Sequence, residues 1–307
     1  MIKKQKFGVE IEMTGITRKS AADIIGEVLE HEASTSAGGC YKTRTIFDNK
    51  GRVWKVMRDS SINPRINDNT NDYIDEYKVE IVTPPLDYDD IEVLQTIVRK
   101  LRQRGAKVNS SCGIHIHIDG ANHTPSSLKR LVNFMTERQD LIYEALEIHG
   151  RENRWCKKLN TDLLTEMKKE KNLTKNKVEN IWYSEANDNY RAGINHEHYN
   201  STRYHGVNLH SYFSKGTVEF RLFNSTLHAG KIKAYIQFCL AISSWSITSK
   251  EKVIFHSMSG YSAKQKVTIM RNILTNRLGL RGEEYKTCRL HLMSSLKKSA
   301  GMCLRAA

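Results

Sequence analysis

The alternation of apolar and polar positions divides the chain into short strands and longer amphipathic helices. From Phe7 to Met13, Val9, Ile11 and Met13 fall on one side and Glu10 and Glu12 on the other, which is the period of a strand. Ser20 to His31 has helical spacing. Ile24, Ile25, Val28 and Leu29 form its apolar stripe, and Ser20 with Asp23 suits a capping box. Residues 34–75 are loop- and hairpin-rich, with a turn signal at Asp48-Asn-Lys-Gly51 and a short strand over Val53 to Met57. Lys78 to Val82 predicts a further strand, ended by Pro84-Pro85. Asp89 to Arg104 is an amphipathic helix stopped by Gly105 that buries Ile91, Leu94, Ile97, Val98 and Leu101. Gly113 to Asp119 is a strand with Ile114, Ile116 and Ile118 on one face. Thr124 at the N-cap and Pro125 at N1 open a long helix that runs to about His149.

Residues 150–200 are polar, rich in Asn and Lys, and the least regular part of the pattern. Gly206 to Tyr212 and Thr217 to Phe223 then predict a hairpin around Ser214-Lys-Gly216. Helical spacing returns over 231–249, 262–278 and 283–298, the last two separated by Gly279 and Gly282. Strands and helices in this mixed order, with several strands antiparallel, predict an α+β fold. The expected division is a catalytic domain over 1–249, including the basic polar insert 150–200, and a C-terminal helical extension over 250–307 packed on it.

Composition narrows the class. In 307 residues, 39% are hydrophobic and 27% charged, which excludes a disordered chain, and four prolines exclude a collagen-like or proline-rich one. No apolar run reaches the ~18 residues of a membrane span. Glu10 and Glu12 interrupt any leader-like apolar stretch after the N-terminal lysines. The six cysteines contain no Cys-x-x-Cys pair. Free thiols in a soluble cytoplasmic protein are the expectation.

The net charge is +14 and is unevenly placed. Residues 151–178 and 264–298 each hold nine Lys or Arg, whereas residues 67–92 hold nine acidic residues and one lysine. Such a balance suits an anionic partner: nucleotide, nucleic acid, an acidic peptide or an anionic cell-wall polymer. Aromatic residues do not alternate with the basic ones as a single-strand binding platform requires.

The chemistry lies on the second face of the strands. There the pattern places Glu10 and Glu12, then Glu80, then His115, His117 and Asp119, then Asn208 and His210, then Glu219 and Arg221. Any one such face suits solvent. Repeated over five strands, it predicts converging carboxylates that repel one another unless divalent cations reconcile them, and hard oxygen donors hold Mg²⁺ or Mn²⁺. One imidazole, His115 or His117, completes such a site, and Arg221 suits anion binding. His196 and His198 form His-Glu-His, which does not fit H-E-x-x-H zinc protease spacing. There is no G-x-x-x-x-G-K-[ST] loop and no G-x-S-x-G elbow. A multi-carboxylate face with arginines points to phosphoryl chemistry.

Five segments occur in order: Phe7-Gly-Val-Glu-Ile-Glu12, Val79-Glu-Ile-Val-Thr-Pro-Pro85, Cys112-Gly-Ile-His-Ile-His-Ile-Asp119, Arg203-Tyr-His-Gly-Val-Asn-Leu209 and Val218-Glu-Phe-Arg-Leu-Phe-Asn224. The set resembles the amidoligase family, a branch of the glutamine synthetase and glutamate–cysteine ligase superfamily of carboxylate–amine ligases. Trp54-Lys-Val-Met-Arg-Asp-Ser-Ser61 is similar to that family's segment between the first two acidic strands, with Asp59-Ser60-Ser61 where Asp-Gly-Ser is expected.

The resemblance implies a curved, mainly antiparallel sheet around an ATP site, with helices on its outer side. It implies Mg²⁺ (or Mn²⁺) with ATP as co-substrate. Glu10, Glu12, Glu80 and Glu219 would be metal ligands, and His115 a ligand or phosphate contact. His117 and Asn208 would support the nucleotide site. Arg203 and Arg221 would hold phosphate and the developing charge, and Asp59 would lie on the amine side. The expected reaction is ATP-dependent amide or peptide bond formation through an acyl phosphate, with carboxylate and amine substrates that include peptide or cell-wall peptide. The alternatives are a metal-dependent nucleic-acid-binding protein or nuclease, and a catalytically inactive binding protein of the same fold.

Overall fold

The computed structural model describes residues 1–64, 71–148, 150–187, 195, 197–250 and 260–303. Seven strands form one open antiparallel sheet in the order β2-β3-β4-β1-β5-β7-β6. They are β1 (Phe7–Met13), β2 (Arg44–Phe47), β3 (Val53–Met57), β4 (Val79–Val82), β5 (Gly113–Asp119), β6 (Val207–Asn208) and β7 (Thr217–Asn224). Nine α-helices accompany them among the described residues: α1 (Arg18–Leu29), α2 (Ile91–Gln103), α3 (Pro125–Ala145), α4 (Thr161–Lys169), α5 (Lys175–Trp182), α6 (His210–Lys215), α7 (Ala229–Thr248), α8 (Ala263–Asn272) and α9 (Lys286–Ser299). The chain divides into two compact units, one of residues 6–116 and 223–233, the other of residues 1–5, 117–222 and 234–307.

In the first unit, Val9, Ile11, Met13, Val56, Val79 and Ile81 are fully or almost fully buried, as their period-2 spacing predicts. Helices α1 and α2 pack against each other, and α1 also covers β2 and β3. Helix α1 begins three residues earlier than the cap signal at Ser20 suggests a turn should start: Thr17 is its N-cap and accepts from the Ser20 amide. The β2–β3 turn is built on Asp48. Its Oδ1 accepts from the amides of Lys50 and Arg52, and its Oδ2 accepts from Arg52 Nε and Trp54 Nε1. Arg18, 1% exposed, donates to the carbonyl of Lys78 at 3.1 Å and to Glu76 Oε1 at 2.9 Å. It thereby ties α1 to the segment that leads into β4.

In the second unit, α3 packs against α4 and α9, and α8 against α9. Two sequence expectations change here. Residues 150–200 are not simply irregular, because Asn160 and Thr174 cap α4 and α5, which bury Leu163, Leu164, Met167, Val178 and Trp182. The hairpin expected over 206–223 keeps its antiparallel β6–β7 pair, but β6 is only two residues long. Asn208 Oδ1 accepts from the His210 amide at 2.8 Å, which starts α6, and Gly216, at φ 78°, ends it.

Gly206, in the Arg203–Leu209 motif, has its own steric reason. A Cβ there would lie 2.1 Å from Tyr143 Oη. That hydroxyl is fixed by donation to the carbonyl of Cys156 at 2.7 Å.

Candidate functional site

In the first unit the antiparallel register sets Glu12 directly against Glu80, and Glu80 against Met57. Glu12 and Glu80 are 4% and 8% exposed. The neighbouring strand supplies His115, also buried. One ligand atom from each of Glu12, Glu80 and His115 lies within 4.8 Å of the others. Glu12 Oε2 accepts from the Gly113 amide at 2.6 Å, and its Oε1 is 3.7 Å from His115 Nε2. Glu10 Oε2 is 2.7 Å from His115 Nδ1. Glu10 therefore holds the imidazole by one nitrogen while the other faces Glu12, the usual arrangement by which a carboxylate orients a ligating histidine.

Two carboxylates directly opposite each other across a ladder destabilise a sheet, the more so when buried. A divalent cation removes that penalty, and two carboxylates with one imidazole make a donor set fitting Mg²⁺ or Mn²⁺. Asp59, two residues beyond β3, is occupied differently. Its Oδ1 accepts from the Ser61 amide, so it closes a turn through the sequence Asp-Ser-Ser.

In the second unit Glu219 is 3% exposed and accepts from Asn208 Nδ2 and from Arg221 Nη1, each at 2.6 Å. His117 Nε2 is 3.8 Å from Glu219 Oε1, and its Nδ1 is 2.9 Å from Thr217 Oγ1. Thr217, Glu219 and Arg221 share one face of β7, and Thr217 is a member of the set that sequence reasoning missed although its spacing places it there. The Arg203 and Arg221 guanidiniums both lie within 6 Å of the Tyr204 ring, at 5.6 and 5.9 Å. A cleft of about 250 Å³ is lined by Arg203, Asn208, His210 and Glu219 together with residues of α6.

His210 was expected on a strand face and instead opens α6, where its Nδ1 meets Tyr183 Oη at 2.7 Å. Tyr183 follows α5 and had no role in the sequence reading. Of the His-Glu-His pair, His198 lines the same cleft and His196 lies outside the described residues. No helix among the described residues is long and apolar enough to cross a membrane.

No curated protein matches the chain. A family model described as "Putative amidoligase enzyme" matches residues 3–243, a span that contains both glutamate strands, the two histidines of β5 and the Arg203–Arg221 region. The chain is therefore a member of the amidoligase family.

Proposed function

We propose that the protein is an ATP-dependent carboxylate–amine ligase that forms an amide or peptide bond through an acyl phosphate. The observation that carries the reading is the buried Glu12–Glu80 pair with His115 beside it, an arrangement that calls for a bound cation. Glu12, Glu80 and His115 would hold Mg²⁺ or Mn²⁺, which when bound would supply charge neutralisation for the triphosphate. Glu10 orients His115.

The substrate carboxylate attacks the γ-phosphorus, ADP leaves, and the amine then displaces phosphate from the acyl carbon with loss of a proton. Arg203 and Arg221 offset charge on the transferring group, the term that dominates phosphoryl transfer. Binding both substrates beside the nucleotide supplies proximity. Asp59 is assigned to the amine side on family position alone.

The test is ADP release with Mg²⁺ across a panel of carboxylates, amines and short peptides, with the amide product read by mass spectrometry. Turnover that needs both substrates and is lost in Glu80→Gln supports the ligase. If no pair stimulates ADP release and Glu10→Ala behaves as the parent does, the reading fails. Cleavage or salt-dependent binding of nucleic acid without ATP would move the assignment to the nuclease class.

A further inference from the structure

The helical insert reaches the cleft through the residues at the end of α5. Tyr183 Oη is 2.7 Å from His210 Nδ1, both residues are buried, and their rings meet edge-on with centroids 5.8 Å apart. Tyr183 also packs against Phe213 of α6. One residue earlier, Trp182 Nε1 donates to Thr202 Oγ1 at 3.1 Å, and its ring meets that of His205. The end of α5 thus holds both the 201–205 segment that carries Arg203 and the helix that carries His210, Ser211 and Lys215. All four of these residues line the cleft.

The Tyr183–His210 contact has a preferred direction. A phenol O–H is a better donor than a neutral imidazole N–H, and an imidazole nitrogen is a better acceptor than a phenol oxygen. Oη–H therefore donates to Nδ1, and the ring proton resides on Nε2. Burial raises the Tyr183 phenol well above its ordinary value, so the donor stays protonated. The cleft then sets the Arg203 and Lys215 cations beside His210, while Ser211 Oγ is engaged with Thr217 Oγ1 at 2.8 Å and Arg203 Nη1 donates to the His198 carbonyl. Its carboxylate, Glu219, is already held by Asn208 and Arg221. A donor-rich set of this kind recognises anionic oxygen.

We propose that Tyr183 is a positioning residue that fixes His210 as the Nε2–H tautomer, and that His210, Arg203 and Lys215 together bind an anionic oxygen group of the ligand in this cleft. The proposal rests on the ligase reading only for the source of that group, a substrate carboxylate or a nucleotide phosphate.

Long-range ¹H–¹⁵N spectra of the histidine rings in the full chain test it, with His210→Gln used to assign the resonances. The expected result is an Nε2–H tautomer at His210 in the parent and a mixture in Tyr183→Phe. Inorganic phosphate and, separately, acetate are titrated without ATP or metal. A saturable shift of the His210 signals with phosphate assigns the nucleotide source, and one with acetate assigns the carboxylate source. Tyr183→Phe should weaken that binding roughly three- to tenfold, the effect of one neutral hydrogen bond.

An Nδ1–H tautomer in the parent overturns the proposal. So does the absence of any shift with both anions, or a Tyr183→Phe protein that keeps the parent tautomer and affinity. If the variant fails to fold, the parent tautomer and titrations still decide. Failed ADP release with these results intact removes the ligase reading alone. Intact ligase activity with an Nδ1–H His210 removes only this one.

Discussion

Glu12 and Glu80 stand directly opposite each other across the β1–β4 ladder, and both are nearly excluded from water. Replacing Glu12 by Gln keeps an acceptor for the Gly113 amide and removes one of the two charges. The metal-free variant should be more stable than the parent by about 1 kcal/mol, the scale of an adverse cross-strand pair. Mn²⁺ or Mg²⁺ should raise the Tm of the parent and leave that of the variant unchanged. Scanning calorimetry with and without MnCl₂ checks both, and an undiminished Mn²⁺ shift in the variant would count against the metal site.

Arg221→Lys separates shape from charge. Lysine retains the positive charge but not the planar fork that reaches Glu219 at 2.6 Å beside Tyr204. ADP release should fall on the order of 100-fold, as when a preorganised donor is lost, with an unchanged near-ultraviolet circular dichroism spectrum. Retained activity would remove Arg221 from the transition-state role.

His123 gives the protein an acid-side weakness. Ser243 Oγ donates to Gln5 Oε1 at 2.6 Å and so takes a hydrogen from His123 Nε2 at 2.9 Å, while Ser127 Oγ lies 3.0 Å from Nδ1. Burial lowers the imidazole to about 4 from 6.5, against the opposing pull of Asp119. Between these values the unfolded chain binds a proton that the folded chain refuses. The contribution is therefore complete above pH 6.5 and is lost as pH falls towards 4, by up to about 3 kcal/mol. Urea unfolding at intervals from pH 4 to 7 should show a steeper decline for the parent than for His123→Gln, and parallel curves would refute the assignment.

Gly206→Ala should destabilise the fold by about 1–3 kcal/mol, the usual cost of overpacking, because its Cβ meets Tyr143 Oη at 2.1 Å. Adding Tyr143→Phe removes the offending oxygen. The double variant should therefore be less unstable than the two single losses added together, in a denaturation cycle. Simple additivity would show that the contact is not the cause.

The parts of this architecture that could be read from the residues are those where one periodicity acts alone. In β1 and β5 the apolar set and the chemical set alternate without interruption, so both the strand and its two faces follow from the order of residues. Val207 and Leu209 alternate in the same way with Asn208 and His210, yet there the Asn208 side chain captures the next-but-one amide and turns the chain into α6. A local side-chain bond outweighed the period. The helices of the insert were hidden by their lysines, although Asn160 and Thr174 are cap residues ahead of Leu163, Leu164 and Met167 and of Val178 and Trp182. Tyr183 could not be found by any spacing argument, because its partner lies 27 positions away.

The grip of Arg18 on the Lys78 carbonyl acts two residues ahead of Glu80. Because faces alternate along a strand, a slip of β4 by one position would bury Glu80 in the aliphatic layer and swing Ile81 among the acids. A lesion at Arg18 could silence the protein without removing any reacting group, and a survey confined to the chemical centre would overlook it.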